Sequence, residues 1–263
     1  MLIAVLAAWL LFPVYWLFLT SLKTDAQTFV YPPLFVFGPT FNAWSAVLSQ
    51  SVWLGYLSNS LITTVAGSTL ALLIGVPAAY ALAFFPVKRK ESILFSFLSI
   101  RFIPPIVLLL PYFIIFSAIG LENTLQGLIL VYVMIGLPFV IWIMHGFFVT
   151  LPHDLLDAAS IDGASEAQTM YKIALPVALP SLVVSFLISA IFMWNEFPFA
   201  LILTGEESRT TPPAITAYGV SYFGIHYNLV GVVGLLSMVP MMLIALVAQR
   251  YLIKGLTMGI VKG

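Results

Sequence analysis

Leu151-Pro-His-Asp-Leu-Leu-Asp-Ala-Ala-Ser-Ile-Asp-Gly-Ala-Ser-Glu-Ala-Gln-Thr-Met-Tyr-Lys-Ile-Ala-Leu-Pro176 is the most polar stretch of an otherwise apolar chain. Apolar runs flank it at about 125–149 and 177–203. Each supplies the roughly 20 residues that a helix needs to cross a hydrocarbon core roughly 30 Å thick. Neighbouring membrane helices can be joined by a few residues, whereas about 25 stand here, so the segment has a structure of its own. Leu155, Leu156, Ala158 and Ala159 recur at helical spacing. Pro152 stands near the start of that pattern, and Asp154 lies in its first turn, at the positive end of the helix dipole. Gly163 supplies a stop or turn. Ala164 to Ile173 reads as a second short helix, capped by Ser165 and closed by a break at Leu175-Pro176. Periodicity alone fits an interfacial anchor as well as a docking element.

Working outward, four more apolar runs cover about 1–22, 57–85, 92–119 and 229–252. Hydrophobic residues make up 62% of the 263 and charged ones only 8%, against about a quarter charged in a soluble domain. Lipid is therefore the solvent to assume, and the fold class is an all-α membrane protein of about six spanning helices in a single domain, 1–263. The first run has neither a basic start nor an A-x-A-like cleavage site after it, so it reads as a span and not a signal peptide. Pro104, Pro105 and Pro111 interrupt the third run, and broken helices are tolerated in membranes where neighbours or a wet cavity satisfy the freed backbone. Zero formal net charge gives nucleic acid no basic surface to bind. The absence of cysteine excludes disulfides, thiolate metal sites and thiol nucleophiles.

Basic residues accumulate in short cytoplasmic loops. With six spans, one side carries Lys88, Arg89, Lys90, Lys172, Arg250, Lys254 and Lys262, and the other Lys23 and Arg209. Both termini and the 151–176 segment are thus expected in the cytoplasm.

Asp157-Ala158-Ala159, three residues, Gly163, nine residues, then Ile173-x-Leu175-Pro176 resembles the loop of bacterial ABC importer permeases with the pattern E-A-A-x3-G-x9-I-x-L-P. Asp157 replaces the glutamate and shortens its reach by one methylene. Ile103-Pro-Pro-Ile, Gly120-Leu-Glu-Asn-Thr, Trp194-Asn-Glu-Phe, Leu203-Thr-Gly with Thr211-Pro212, and the ending from Gln249 are similar to the carbohydrate permeases related to the smaller permease of the maltose system. Such permeases often carry a basic leader ahead of the first span, whereas this sequence opens on the apolar run. The resemblance implies a type I ABC importer permease in a prokaryotic plasma or inner membrane. Its loop would be a coupling helix in a cleft of the ATP-binding subunit, with Asp157, Ala158, Ala159, Asp162, Gly163, Ile173, Leu175 and Pro176 at the contact. It further implies a second homologous permease, two ATPase subunits, an extracytoplasmic solute-binding protein, and a sugar or polyol as cargo. No G-x-x-x-x-G-K-[ST] occurs, so ATP and Mg are expected on the partner subunits, with no cofactor on this chain and no catalytic residue in it. A permease for another solute such as a peptide and a self-sufficient secondary transporter are the alternatives, the latter expected to carry intramembrane acidic residues and often an inverted repeat.

Arg101 lies about ten residues into the third run, roughly 15 Å along a straight helix and so near mid-bilayer. A charge there must face the protein interior or water. It would contact sugar hydroxyls, pair with Glu196, or bond carbonyls freed by Pro104 and Pro105. Trp194, Asn195 and Glu196, in the outer half of the fifth run, offer an aromatic face and planar polar groups to a passing sugar. Asn195 serves equally well as glue between helices. The lone histidines have no metal-ligand spacing, and no metal is expected.

Overall fold

The computed structural model describes residues 1–221 and 224–258. In chain order it contains α1 (Leu2–Ser21), α2 (Asp25–Thr28), α3 (Asn42–Leu48), α4 (Ser51–Phe84), α5 (Lys90–Ser99), a 3-10 turn (Ile100–Phe102), α6 (Pro105–Ala118) and α7 (Leu125–Phe148). There follow α8 (His153–Ile161), α9 (Glu166–Thr169), a π-helical turn (Met170–Ala174), α10 (Leu175–Val177), α11 (Leu179–Trp194), α12 (Pro198–Leu203) and α13 (Thr211–Gly219). A two-residue antiparallel pair, β1 (Val220–Ser221) and β2 (Gly224–Ile225), leads into α14 (Tyr227–Met258).

Four helices are long and apolar enough to span: α1, α4, α7 and the Tyr227–Leu246 part of α14. Two further stretches qualify only as bent pairs of helices. Lys90–Phe102 meets Pro105–Ala118 at 94°, and Glu166–Val177 meets Leu179–Trp194 at 79°. Counting each bent pair as one span gives the expected six, with the third and fifth not straight. The proline pair explains the first elbow, because the residue before a proline is pushed out of the α region. Ile103 accordingly takes φ −72 and ψ 120, and the chain leaves the helix there. The fifth span also ends early, at Trp194, and the residues up to 203 form the separate helix α12.

The core sits where α4, α7 and α11 pack against one another, around Ala71, Val131, Tyr132, Val140, Met144 and Met193. Lipid supplies no hydrophobic drive between helices, so close approach through small residues carries their association. A Cβ on Gly75 would lie 2.7 Å from Cγ1 of Val140, and one on Gly136 would lie 2.5 Å from Cε of Met193. A second cluster joins α3, α4, α13 and α14 through Val47, Trp53, Tyr56, Ala214 and Val232. Helix α1 packs mainly along α14, leaving Trp9, Leu10 and Phe12 at least half exposed, as suits a helix in lipid. Asp25 Oδ2 lies 2.7 Å from His226 Nδ1, within hydrogen-bonding distance, and this contact ties the residue before α14 to the start of α2.

The two ends of the bundle are distinct. At one, Tyr80 and Phe84 of α4 pack on Phe148 of α7, which puts the Lys88-Arg89-Lys90 loop beside the 151–176 segment. At the other, Asn59 Nδ2 of α4 donates to the carbonyls of Glu207 and Arg209, and Asn228 Nδ2 donates to the carbonyl of Lys23. The bonds of Asn59 and Asn228 therefore gather the loops that carry Lys23 and Arg209 at the end opposite the basic one.

Candidate functional site

The 151–176 segment is folded by its own residues. After Pro152, α8 runs to Ile161 with Asp154 in its first turn. It ends on Gly163 at φ +78, the left-handed conformation that glycine adopts at no steric cost. There Gly163 N–H donates to Ser160 O at 3.1 Å and Ala164 N–H to Ala159 O at 3.0 Å, the double bond pattern that satisfies a helix's last carbonyls. Ser165 then caps α9, its Oγ accepting from Gln168 N–H at 3.3 Å while Gln168 Oε1 accepts from Ser165 N–H at 3.0 Å.

Leu175-Pro176 does not break this second helix. The chain passes through the π-turn, where Leu175 N–H reaches back to Met170 O, and continues through α10 to the bend at Ala178. A proline removes one N–H and crowds the carbonyl four residues earlier, and a widened turn accommodates it without stopping the helix.

The motif residues divide between two faces. Ala159 is buried, Ile173 and Leu175 are half-buried, and Asp157, Ala158, Asp162, Gly163 and Pro176 are exposed. Leu151, Met170, Ala174 and Ala178 root the segment in the main core. The Asp157 carboxylate makes no hydrogen bond to the described residues. Sequence reading missed Ile161, which is 87% exposed, and Tyr171, which is 59% exposed. Ile161 falls outside the Leu155-Leu156-Ala158-Ala159 pattern, and an apolar residue off that pattern in a polar loop was the available signal.

A cavity of about 490 Å³ lies between the 100–105 elbow, α6, the middle of α7 and the end of α11. Arg101, Asn195 and Glu196 line it together, while Trp194 is packed away in the interior and does not. Arg101 sits at the elbow, so a depth counted along a straight helix does not apply to it. Its Nη1 donates to Ile135 O at 2.7 Å, and its guanidinium lies 3.9 Å from the centre of the Phe139 ring and 5.0 Å from that of Phe192. Those two rings are themselves stacked, with centres 4.6 Å apart. The cation thus rests on aromatic faces, and neither a pair with Glu196 nor the carbonyls freed by Pro104 and Pro105 hold it. Glu196 instead accepts from Phe199 N–H at Oε1 and Ala200 N–H at Oε2, both at 2.9 Å. Asn195 Nδ2 donates to Ile191 O of its own helix at 2.8 Å, so it is not interhelical glue. The cavity lining combines the aromatic residues Phe97, Tyr112 and Phe197 with a few polar groups.

Residues 71–258 match the family described as "Binding-protein-dependent transport system inner membrane component". The chain belongs to that family. The match takes in the folded segment and every residue named around the cavity, and starts within α4. Among family relatives, "Probable ABC transporter permease protein y4oR" of Sinorhizobium fredii is 36% identical over 98% of this chain and 92% of its own length. "Trehalose transport system permease protein SugB" of Mycobacterium tuberculosis is 34% identical, covering 96% and 93%. "Trehalose/maltose transport system permease protein MalG" of Thermococcus litoralis is also 34% identical, covering 96% and 92%. Among solved structures, a chain of a bacterial ABC transporter involved in the import of the acidic polysaccharide alginate superposes with a TM-score of 0.78 at 23% identity, covering 95% of this chain and 93% of that one. The fold is that of an ABC importer permease, and the protein is a multi-pass membrane component of a transport system.

Proposed function

We propose that this chain is one of two permeases in an ATP-driven importer, carrying a sugar or polyol handed over by an extracytoplasmic binding protein. The observation that carries this reading is the self-folded 151–176 segment, rooted in the core yet presenting Leu155, Ile161 and Tyr171 outward. Apolar side chains on a polar loop, at the end of the bundle that bears Lys88, Arg89, Lys90 and Lys172, suit a groove on a cytoplasmic partner. Two ATPase subunits supply that groove and bind the ATP and Mg. The distribution of basic residues between the two ends supports cytoplasmic termini. Relatives named for trehalose, trehalose/maltose and diacetylchitobiose support a carbohydrate cargo. The cavity's rings and its guanidinium also suit a molecule with apolar faces and hydroxyl edges.

Reconstitution in proteoliposomes tests the proposal. Uptake requires the ATPase subunits and ATP, and persists when ion gradients are collapsed at constant ATP. Robust uptake by this chain alone would overturn it in favour of a secondary transporter.

A further inference from the structure

Helix α12 follows α11 in sequence but is held by other parts of the chain. Its six residues, Pro198–Leu203, bury Phe199, Ala200 and Leu203 almost completely. Neither flank is helical, since Asn195–Phe197 precedes it and Thr204–Thr210 follows. At its N-terminal end, both oxygens of Glu196 accept backbone N–H groups, at Phe199 and Ala200. Beyond its C-terminal end stands Asn123, from the loop between α6 and α7. Asn123 N–H donates to Leu203 O at 2.8 Å, and its Oδ1 accepts from Gly205 N–H and from Ser208 Oγ at 2.6 Å. Asn123 has φ +55, a conformation that asparagine tolerates better than most residues. The ring of Phe199 packs on Tyr112 of α6 with centres 5.2 Å apart, and Tyr112 stacks in turn on Phe116. Phe197, Pro198 and Phe199 form the cavity wall on the side away from the basic end.

We propose that Asn123 is a positioning residue for transport: with the Phe199–Tyr112 contact it docks α12 on the α6–α7 hairpin, so that the outer wall of the cavity is held by that hairpin as well as by its chain link to α11. This rests on the cavity being the solute path of the proposed importer. Glu196 caps the first turn of α12 from the link to α11, and its bonds do not reach the hairpin. For Asn123 the working atom is the acceptor Oδ1, so Asp preserves the clamp, whereas Gly preserves the backbone conformation and deletes it.

The test uses the complete complex in nanodiscs. The chain has no cysteine, so Leu108→Cys in the cavity lining gives a single label site on it, probed with a membrane-impermeant maleimide from the extracytoplasmic side. Asn123→Gly is expected to raise the labelling rate at least about five-fold and to raise ATP hydrolysis without binding protein about three-fold. Asn123→Asp stays within about two-fold of the parent. A residue that only stabilised the fold would lower hydrolysis with and without binding protein alike. Unchanged labelling and unchanged unstimulated hydrolysis in complexes that still co-purify with the ATPase would overturn the assignment, as would failure of Asn123→Asp to restore parental values. A parent complex that binding protein does not stimulate would instead refute the importer reading, while the labelling series would still report whether α12 is clamped.

Discussion

Two glycine-dependent regions of this permease need glycine for opposite reasons. In the α4–α7–α11 core, Gly75 has no room for a Cβ, since Val140 would lie 2.7 Å away. In the 151–176 segment, Gly163 faces open space, with nothing within 4 Å of where a Cβ would sit, and what it needs is a backbone at φ +78. Substitution in the core is resisted by packing and affects the whole bundle. At Gly163 the cost is local and conformational, at an exposed turn. Packing of the bundle and the shape of the proposed docking segment can therefore be perturbed separately.

The largest expected effect is in the core. Gly75→Val drives two branched side chains together, and overpacking of that kind costs about 1–3 kcal/mol even before the helices shift. Little permease should survive size-exclusion chromatography in detergent. Gly136→Ala is expected to be far milder although its Cβ would make the shorter contact, because its obstacle is the free end of Met193, a flexible side chain that can move aside. Equal losses from the two variants would remove space as the explanation for the core glycines.

Next comes Gly163→Val. A β-branched residue in the left-handed region costs roughly 1–2 kcal/mol, enough to reshape the end of α8 without unfolding six spans. Membrane insertion and yield should stay near normal, while hydrolysis stimulated by loaded binding protein falls by about ten-fold or more. Gly163→Asn, which tolerates positive φ, should keep most of the stimulation. Normal co-purification and normal stimulation in Gly163→Val would mean that the segment is not the coupling element.

The smallest effect is expected from Arg101→Ala, which tests the cavity that lies against the core. Assembly should survive, since the guanidinium is held by one carbonyl and two ring faces and not by a buried ion pair. Transport should fall severalfold at saturating binding protein. Arg101→Lys should not rescue it, because a compact ammonium lacks the planar group that lies on Phe139 while reaching Ile135 O. Unchanged transport in Arg101→Ala would leave the cavity without a role in the solute path.

Six apolar runs, the polar segment between the fourth and fifth, and the imbalance of basic residues were all readable along the chain, because bilayer thickness imposes a length and a polarity on any span. So was the local architecture at Gly163 and Ser165, whose bonds reach no further than five residues. Elbows were harder. Pro104-Pro105 and Leu175-Pro176 look alike in sequence, yet the first turns the chain through 94° while the second sits in a continuous helix with a π-turn before it. A proline states which N–H is missing, and the packing around it determines how the chain responds.

Partnership of charged and polar groups lay further out of reach. Arg101 and Glu196 have opposite charges and line one cavity, and a sequence offers no reason to separate them. The fold gives Glu196 two backbone N–H groups of α12 and gives Arg101 the paired rings of Phe139 and Phe192. Asn123 and Gly205 are 82 positions apart and meet only because the hairpin brings two loops to one end. Composition and spacing, by themselves, determined that this chain is apolar enough to cross a membrane about six times and carries a polar loop with a structure of its own, since those properties depend on residue type and short-range bonds. Which side chains meet in the cavity, and which part of the chain holds its outer wall, were decided by tertiary structure alone, because contacts between distant segments depend on how the helices bend and pack.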